Sequence, residues 1–144
     1  FRFVGVEQAR PGAGVVEALH RADLVVLCPS NPWVSLDPIL AVPGVKEAFG
    51  TRRVVGISPI IGGQTVKGPA AKMFAELGIQ PSAWAVAEHY RSLLSGFIVD
   101  TQDISQTDAI QALDILPYVT NTIMKNRQDR QRLALEILEF SKLL

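Results

Sequence analysis

The chain has 144 residues, enough for one domain or for part of a larger one. Apolar residues make up 48% and charged residues 19% of it, which excludes a disordered tail and predicts a buried core. The 14 Lys and Arg side chains balance the 14 Asp and Glu side chains. This balance argues against nucleic-acid and membrane-surface partners, which favour a basic excess.

Cysteine content and hydropathy predict a cytoplasmic protein. The only cysteine is Cys28, which cannot form an internal disulfide, so a reducing compartment is expected. No apolar run approaches the roughly 20 residues of a membrane span, and no signal segment opens the chain. We therefore expect no membrane partner.

The first half of the chain shows three extended patterns. Phe1 to Val6 alternates as a strand does, and Val15 to Ala22 has apolar residues at helical spacing. Asp23 to Cys28 and Arg53 to Ser58 are nearly continuous apolar runs, which are typical of central parallel strands. A short helix is predicted over Val45 to Phe49.

The second half continues as alternating helices and strands. Pro69 fits the first turn of one helix, and Ser82 is the expected cap of the next. Thr120 or Thr122 is expected to cap the last helix. The predicted elements are a helix from Pro69 to about Leu77, a helix from Ala83 to about Leu94, a strand over Gly96 to Asp100, a helix over Ser105 to Leu113, a strand over Ile115 to Val119 and a closing helix to about Phe140.

Alternating strands and helices indicate right-handed crossovers and a mostly parallel sheet. The sequence therefore predicts an α/β protein with a Rossmann-like three-layer fold. In such sheets, ligands bind beyond the carboxyl ends of the strands.

The loop after the first buried strand runs from Pro29 to Ser35. Its two prolines restrict the backbone, while Ser30, Asn31 and Ser35 offer hydrogen-bond donors and acceptors suited to a base, ribose or phosphate. The alternative, with about equal weight, is that Asn31 and Ser35 only cap the next short helix.

The loop after the second buried strand runs from Ser58 to Pro69. Gly62 and Gly63 let backbone amides approach an anion, and Lys67 supplies a positive charge before a helix. The spacing is not that of a P-loop. The alternative is a wide turn with a solvated Lys67.

Two carboxylates, Asp100 and Asp103, follow the predicted strand that ends at Asp100. Such a pair could hold a magnesium ion through its oxygens. A helix-entry cap with solvated charge is the commoner use and is the preferred interpretation.

Several segments, in this order, resemble the 2-phospho-L-lactate transferase family. Ala18 to Gly44 contains Cys28-Pro29-Ser30-Asn31-Pro32, and the second segment runs from Ile57 to Ala70. Thr122 to Met124 and Leu133-Ala134 add shorter similarities. The resemblance runs from about Phe3 to Leu138, and the two loop motifs together make it specific.

The resemblance implies a transferase in the biosynthesis of coenzyme F420. The family moves a phospholactyl or phosphoenolpyruvyl group from a guanosine diphosphate conjugate to the deazaflavin Fo, with magnesium, and releases GMP. It implies the fold predicted above and, as an expectation, a homodimer. No catalytic residue follows from it for this chain. The substrate-binding residues that it implies are Ser30, Asn31, Pro32, Ser35, Ser58, Gly62, Gly63 and Lys67.

The family's opening Gly-rich loop and its acidic residues do not appear in this sequence. Residues 1–144 therefore resemble a single α/β segment from the C-terminal half of the enzyme, expected to be inactive alone.

Two other functions stay open. Gluconeogenesis-factor-like regulators share the fold and bind a UDP-sugar, but carry a Gly-Pro-Gly-Ser type sequence where this chain has Pro29-Ser30-Asn31-Pro32. A non-catalytic interaction domain is the third possibility. It would bind no nucleotide and would associate through exposed apolar surface.

Overall fold

The computed structural model describes residues 1–65 and 68–144. The strands are β1 (Leu24–Leu27), β2 (Arg53–Ile57), β3 (Ile60–Ile61), β4 (Gln64–Thr65), β5 (Gly96–Asp100) and β6 (Leu116–Thr120). Four of them form a central sheet in which all neighbouring strands are parallel, in the order β1-β2-β5-β6. A separate antiparallel hairpin, β3-β4, follows β2.

Helices and single turns connect the strands. The α-helices are α1 (Val15–Arg21), α2 (Asp37–Leu40), α3 (Ala70–Glu76), α4 (Ala83–His89), α5 (Thr107–Gln111) and α6 (Arg127–Phe140). Short 3-10 turns cover Val6–Gln8, Glu47–Phe49, Thr101–Gln106 and Ser141–Leu143, and a π-helical turn covers Pro32–Leu36. No helix within the two described ranges is long and apolar enough to cross a membrane.

Buried side chains cover both faces of the sheet, because successive residues of a strand point to opposite sides. On one face, Val54, Phe97 and Val99 belong to the larger core cluster, which includes Phe74 and Ile110. On the other face, the cluster consists of Val55, Ile57, Ile98, Leu133, Ile137 and Phe140. The three-layer α/β fold is confirmed.

The N-terminal strand predicted over Phe1 to Val6 is wrong. Gly5 has φ 83°, which interrupts an extended chain, and a 3-10 turn begins at Val6. The helix from Ala83 is also shorter than predicted: it ends at His89, where Tyr90 has left the helical region at φ −105° and ψ 14°.

The closing helix begins later than its threonines predict. Asn126 is the N-cap of α6, and it forms a reciprocal capping box with Asp129. Neither Thr120 nor Thr122 caps this helix. The Thr120 hydroxyl donates to Glu136, and Thr122 is bonded to Asp100.

A cavity at the carboxyl edge of the sheet

A cavity of about 450 Å³ lies beyond the carboxyl ends of β1 and β2. It is in the position where open parallel sheets bind ligands. Three segments surround it: the loop after β1, the segment from the end of β2 to the start of α3, and the loop after β6. Its polar side chains are Ser30, Asn31, Ser35, Ser58, Thr65 and Thr122, and its apolar walls include Val34, Ile61, Ile123 and Met124.

Asn31 shapes the first wall from inside. Its Oδ1 accepts the backbone N–H groups of Trp33 (3.0 Å) and Val34 (3.3 Å), which makes it the cap of the π-helical turn. Its Nδ2 lies 3.1 Å from the sulfur of Met73. Capping is therefore a role of Asn31 here, while its position also puts it on the cavity surface.

Ser30 and Ser35 are half-buried and face the same cavity. The backbone N–H of Ser35 is used by the turn, since it donates to the Asn31 carbonyl (3.1 Å). Its hydroxyl is not the cap, a role that the Asn31 side chain fills. Pro32 is buried at the start of the turn and does not line the cavity.

The Ser58 hydroxyl lines the cavity but is bonded to its own loop. It donates to the Ile60 carbonyl (2.7 Å) and accepts the Ile60 N–H (3.1 Å). Ser58 is 2% exposed. These contacts fix the backbone just after β2, so the side chain has a structural role in addition to its place in the wall.

Gly62 and Gly63 form the two-residue turn of the β3-β4 hairpin and lie outside the cavity lining. Their φ angles are 56° and 77°, as a type I′ turn requires. The Gly62 N–H donates to Asp103 Oδ2 (3.0 Å) rather than pointing freely to an anion. Lys67, predicted as a positively charged substrate-binding residue, lies outside the described residues.

Thr122 lies in the third wall of the cavity, the loop after β6, and was not predicted as a site residue. Its backbone N–H and hydroxyl both donate to Asp100 Oδ2, at 2.8 and 3.0 Å. Thr65 and Met124 also line the cavity without having been predicted. For Thr122 and Met124 the available signal was their place in the third segment of family resemblance.

Asp100 and Asp103 act as buried structural acceptors. Asp100 Oδ1 caps the 3-10 turn through the Gln102 N–H (3.0 Å), and Asp103 Oδ1 accepts from Gln106 Nε2 (2.9 Å). The predicted helix-entry cap is found for Asp100, but the predicted solvated charge is wrong, because Asp100 and Asp103 are only 1% and 3% exposed. Within the described ranges, no group of three or more His, Cys, Asp or Glu side chains could hold a metal ion.

The two carboxyl groups respond oppositely to their surroundings. Burial raises the pKa of Asp100, but hydrogen bonds from Gln102, Thr122 and Thr101 outweigh it and hold that pKa below its usual value. The pKa of Asp103 is raised above its usual value. Burial is the main cause and the Asp100 charge adds to the rise, while the hydrogen bond from the Gly62 N–H opposes it. The number of donors around each carboxylate accounts for the difference.

The described part of the cavity lining contains no charged side chain. Hydroxyls, one amide and apolar groups suit a neutral, partly apolar ligand such as a nucleoside. No general base is among these side chains.

Comparison with known proteins identifies sequence relatives over almost the whole chain. The sequence profile of the family described as 2-phospho-L-lactate transferase CofD matches residues 2–138. A phosphoenolpyruvate transferase from Streptomyces coelicolor is 42% identical over 142 residues, covering 96% of this chain and 44% of that protein. A 2-phospho-L-lactate transferase from Methanocaldococcus jannaschii is 39% identical over 132 residues, covering 92% of this chain and 42% of the relative.

A solved structure supports the fold alone. The crystal structure of a Bacillus halodurans protein superposes with a TM-score of 0.58 at 20% identity, covering 90% of this chain and 47% of that one. This chain thus spans somewhat less than half the length of the relatives it matches.

Proposed function

Because the chain belongs to the 2-phospho-L-lactate transferase family, we propose that it forms the nucleoside-binding part of a transferase that uses a guanosine diphosphate conjugate. The donor carries a phospholactyl or phosphoenolpyruvyl group, as the names of the two related transferases suggest. The acceptor is the deazaflavin Fo.

The observation that carries the proposal is the convergence of three separate segments on one cavity. Ser30, Asn31 and Ser35 come from the loop after β1, Thr65 from the hairpin, and Thr122 from the loop after β6. Hydroxyls and an amide next to Val34 and Met124 combine polar contacts for a base or ribose with apolar surface for a ring.

In the proposed reaction, an Fo hydroxyl oxygen attacks the phosphorus that bears the lactyl or enolpyruvyl group. A new P–O bond forms, and the bond from that phosphorus to the bridging oxygen breaks. GMP leaves with that oxygen, and the hydroxyl proton is released. Residues that bind the guanosine end orient the phosphorus for attack, which lowers the entropic part of the barrier.

Magnesium remains a prediction for this reaction. Asp100 and Asp103 accept hydrogen bonds within the protein and do not line the cavity, so we do not assign the ion to them. A transfer assay with and without a chelator tests the requirement. A homodimer and a cytoplasmic location also remain predictions.

The experiment for the proposed function is a transfer assay with the full-length gene product. The protein is mixed with Fo and, in separate reactions, the phospholactyl and phosphoenolpyruvyl conjugates of guanosine diphosphate. Mass spectrometry then measures GMP and the product. If GMP and the transfer product form in equal amounts with one of the two conjugates, the result supports the proposal and identifies that conjugate as the donor. If neither conjugate gives product, the result contradicts the proposal.

A calorimetric titration separates this function from the regulator. The same protein is titrated with GDP and, separately, with UDP-N-acetylglucosamine. Binding of GDP alone supports the transferase. Preference for the UDP-sugar supports a nucleotide-sugar-binding regulator, and binding of neither supports an interaction domain.

A further inference from the structure

The first wall of the cavity is an uncommon π-helical turn over Pro32–Leu36. Its backbone bonds join the Leu36 N–H to the Asn31 carbonyl (3.3 Å) and the Asp37 N–H to the Pro32 carbonyl. Single π turns are rare and often occur at functional sites. This one leads directly into α2, and the Ser35 N–H also donates to the Asn31 carbonyl (3.1 Å).

Asp37 anchors the exit of this turn to the end of α4. The Nε2 atom of His89 lies 3.0 and 2.9 Å from its two carboxylate oxygens, and the Tyr90 hydroxyl donates to Oδ1 at 3.0 Å. The side chains of His89 and Asp37 are 32% and 21% exposed, and Tyr90 is buried. Partial burial makes such contacts stronger than those of a fully solvated pair.

Trp33 connects the same turn to the core. Its ring centroid is 4.3 Å from that of Phe74 and 6.1 Å from that of His89, both in edge-on arrangements. The His89 ring also lies 4.6 Å from the Tyr90 ring. The turn is thus packed against His89, which also contacts Asp37 and in turn packs against Tyr90.

We propose that Asp37, His89 and Tyr90 are positioning residues for ligand binding, although none of them lines the cavity. They hold the turn so that Val34 and Ser35 face the ligand. The inference rests on the proposed function, because the ligand that it concerns is the guanosine nucleotide.

Burial and the adjacent Asp37 carboxylate raise the pKa of Tyr90. The phenol therefore stays protonated and remains a hydrogen-bond donor throughout the physiological range. Lys46 lines the same surface depression as Asp37 and His89, so it is a further charge near the cluster.

The test uses the full-length protein and the variants Asp37→Asn, His89→Gln and the double variant. Each single change is expected to raise the GDP Kd and the donor KM about 5- to 10-fold, the value of one charge-assisted contact. The kcat at saturating donor and the KM for Fo stay unchanged. The double variant resembles the singles, because both lose the same contact.

Hydrogen exchange of the ligand-free protein gives an independent readout. Peptides that cover residues 33–37 exchange faster in Asp37→Asn than in the wild type. The control is Glu139→Gln. It removes an exposed ion pair between Glu139, in the last turn of α6, and Lys142, in the turn that follows α6. It leaves both the GDP Kd and the exchange of residues 33–37 unchanged.

Three results would overturn the inference. The first is a lower Tm with unchanged GDP Kd and donor KM, and the second is unchanged exchange at residues 33–37. The third is an additive double variant. If the wild type itself binds no GDP, the proposed function fails, and the exchange data alone decide whether the cluster holds the turn.

Discussion

Thr122 donates two hydrogen bonds to a single oxygen of Asp100, one from its backbone N–H (2.8 Å) and one from its hydroxyl (3.0 Å). Asp100 is the last residue of β5, and Thr122 lies just after β6. This contact places the loop that forms the third wall of the cavity. The Asp100 carboxyl group that accepts these two bonds is only 1% exposed.

Replacing Asp100 with Asn is expected to lower the free energy of unfolding at pH 7 by about 2 kcal/mol, because charge-assisted hydrogen bonds are lost. The folded pKa of Asp100 is depressed, so its stabilising effect is present above its unfolded pKa of about 3.9 and is lost as the pH falls through the folded pKa. Urea unfolding at several pH values checks this. A difference between variant and wild type that stays constant down to pH 2 would contradict it.

Replacing Ser30 or Ser35 with Ala is expected to weaken nucleotide binding without changing stability. Each loses one hydrogen bond to the ligand, worth about 1 kcal/mol or about a fivefold rise in Kd. Calorimetric titration with GDP and thermal unfolding measure the two effects. Ser105→Ala, at an exposed position outside the lining, is the matched control. Equal GDP affinity in all three variants would show that GDP does not bind in this cavity.

Ser58→Ala is expected to behave differently from those two variants. Its hydroxyl is bonded to the Ile60 backbone, so its loss lowers the free energy of unfolding by about 1 kcal/mol. The GDP Kd changes less than in Ser30→Ala. A large loss of affinity with unchanged stability would show that Ser58 contacts the ligand directly.

Asn31→Asp separates capping from ligand binding. Aspartate is as good a cap as asparagine, so thermal stability is expected to stay close to that of the wild type. The new carboxylate faces the cavity and repels an anionic ligand, so the GDP Kd rises at least tenfold while guanosine is affected less. An equal change for GDP and guanosine would argue against a nearby diphosphate.

Gly62→Ala is expected to destabilise the hairpin by about 1–2 kcal/mol, since φ is 56° there and a side chain is strained in this region. An added Cβ would also lie 3.3 Å from the Gln102 side-chain oxygen. Gly12→Ala is the control, because its added Cβ meets only an ordinary contact at 3.7 Å. Equal unfolding free energies for the two variants would contradict the turn assignment.

The strands of the sheet were predictable because each is a short apolar run with a clear boundary. Residues 24–27, 53–57 and 96–100 follow this pattern, and all form parallel strands. Phe1 to Val6 has a similar composition but no strand partner among the described residues, and Gly5 turns the chain. Composition predicts a strand only where a neighbour is available to pair with it.

The position of the cavity was predictable from the sequence, but the hydrogen bonds around it were not. Ser30, Asn31, Ser35 and Ser58 line the cavity because loops after adjacent parallel strands meet at one edge. The partner of the Gly62 N–H is Asp103, 41 residues further along the chain. Thr122 was predicted as a helix cap, whereas its partner Asp100 lies 22 residues earlier. Such long-range partners follow from the packing of the folded chain.

The proposed function requires that the guanosine nucleotide binds in this cavity. Hydrogen exchange of the full-length protein, measured by mass spectrometry with and without saturating GDP, shows whether it does. Slower exchange is expected in three segments, residues 30–36, 58–65 and 121–125, with little change in the second half of α6. Protection by GDP that misses all three segments would rule out this cavity as the nucleotide site.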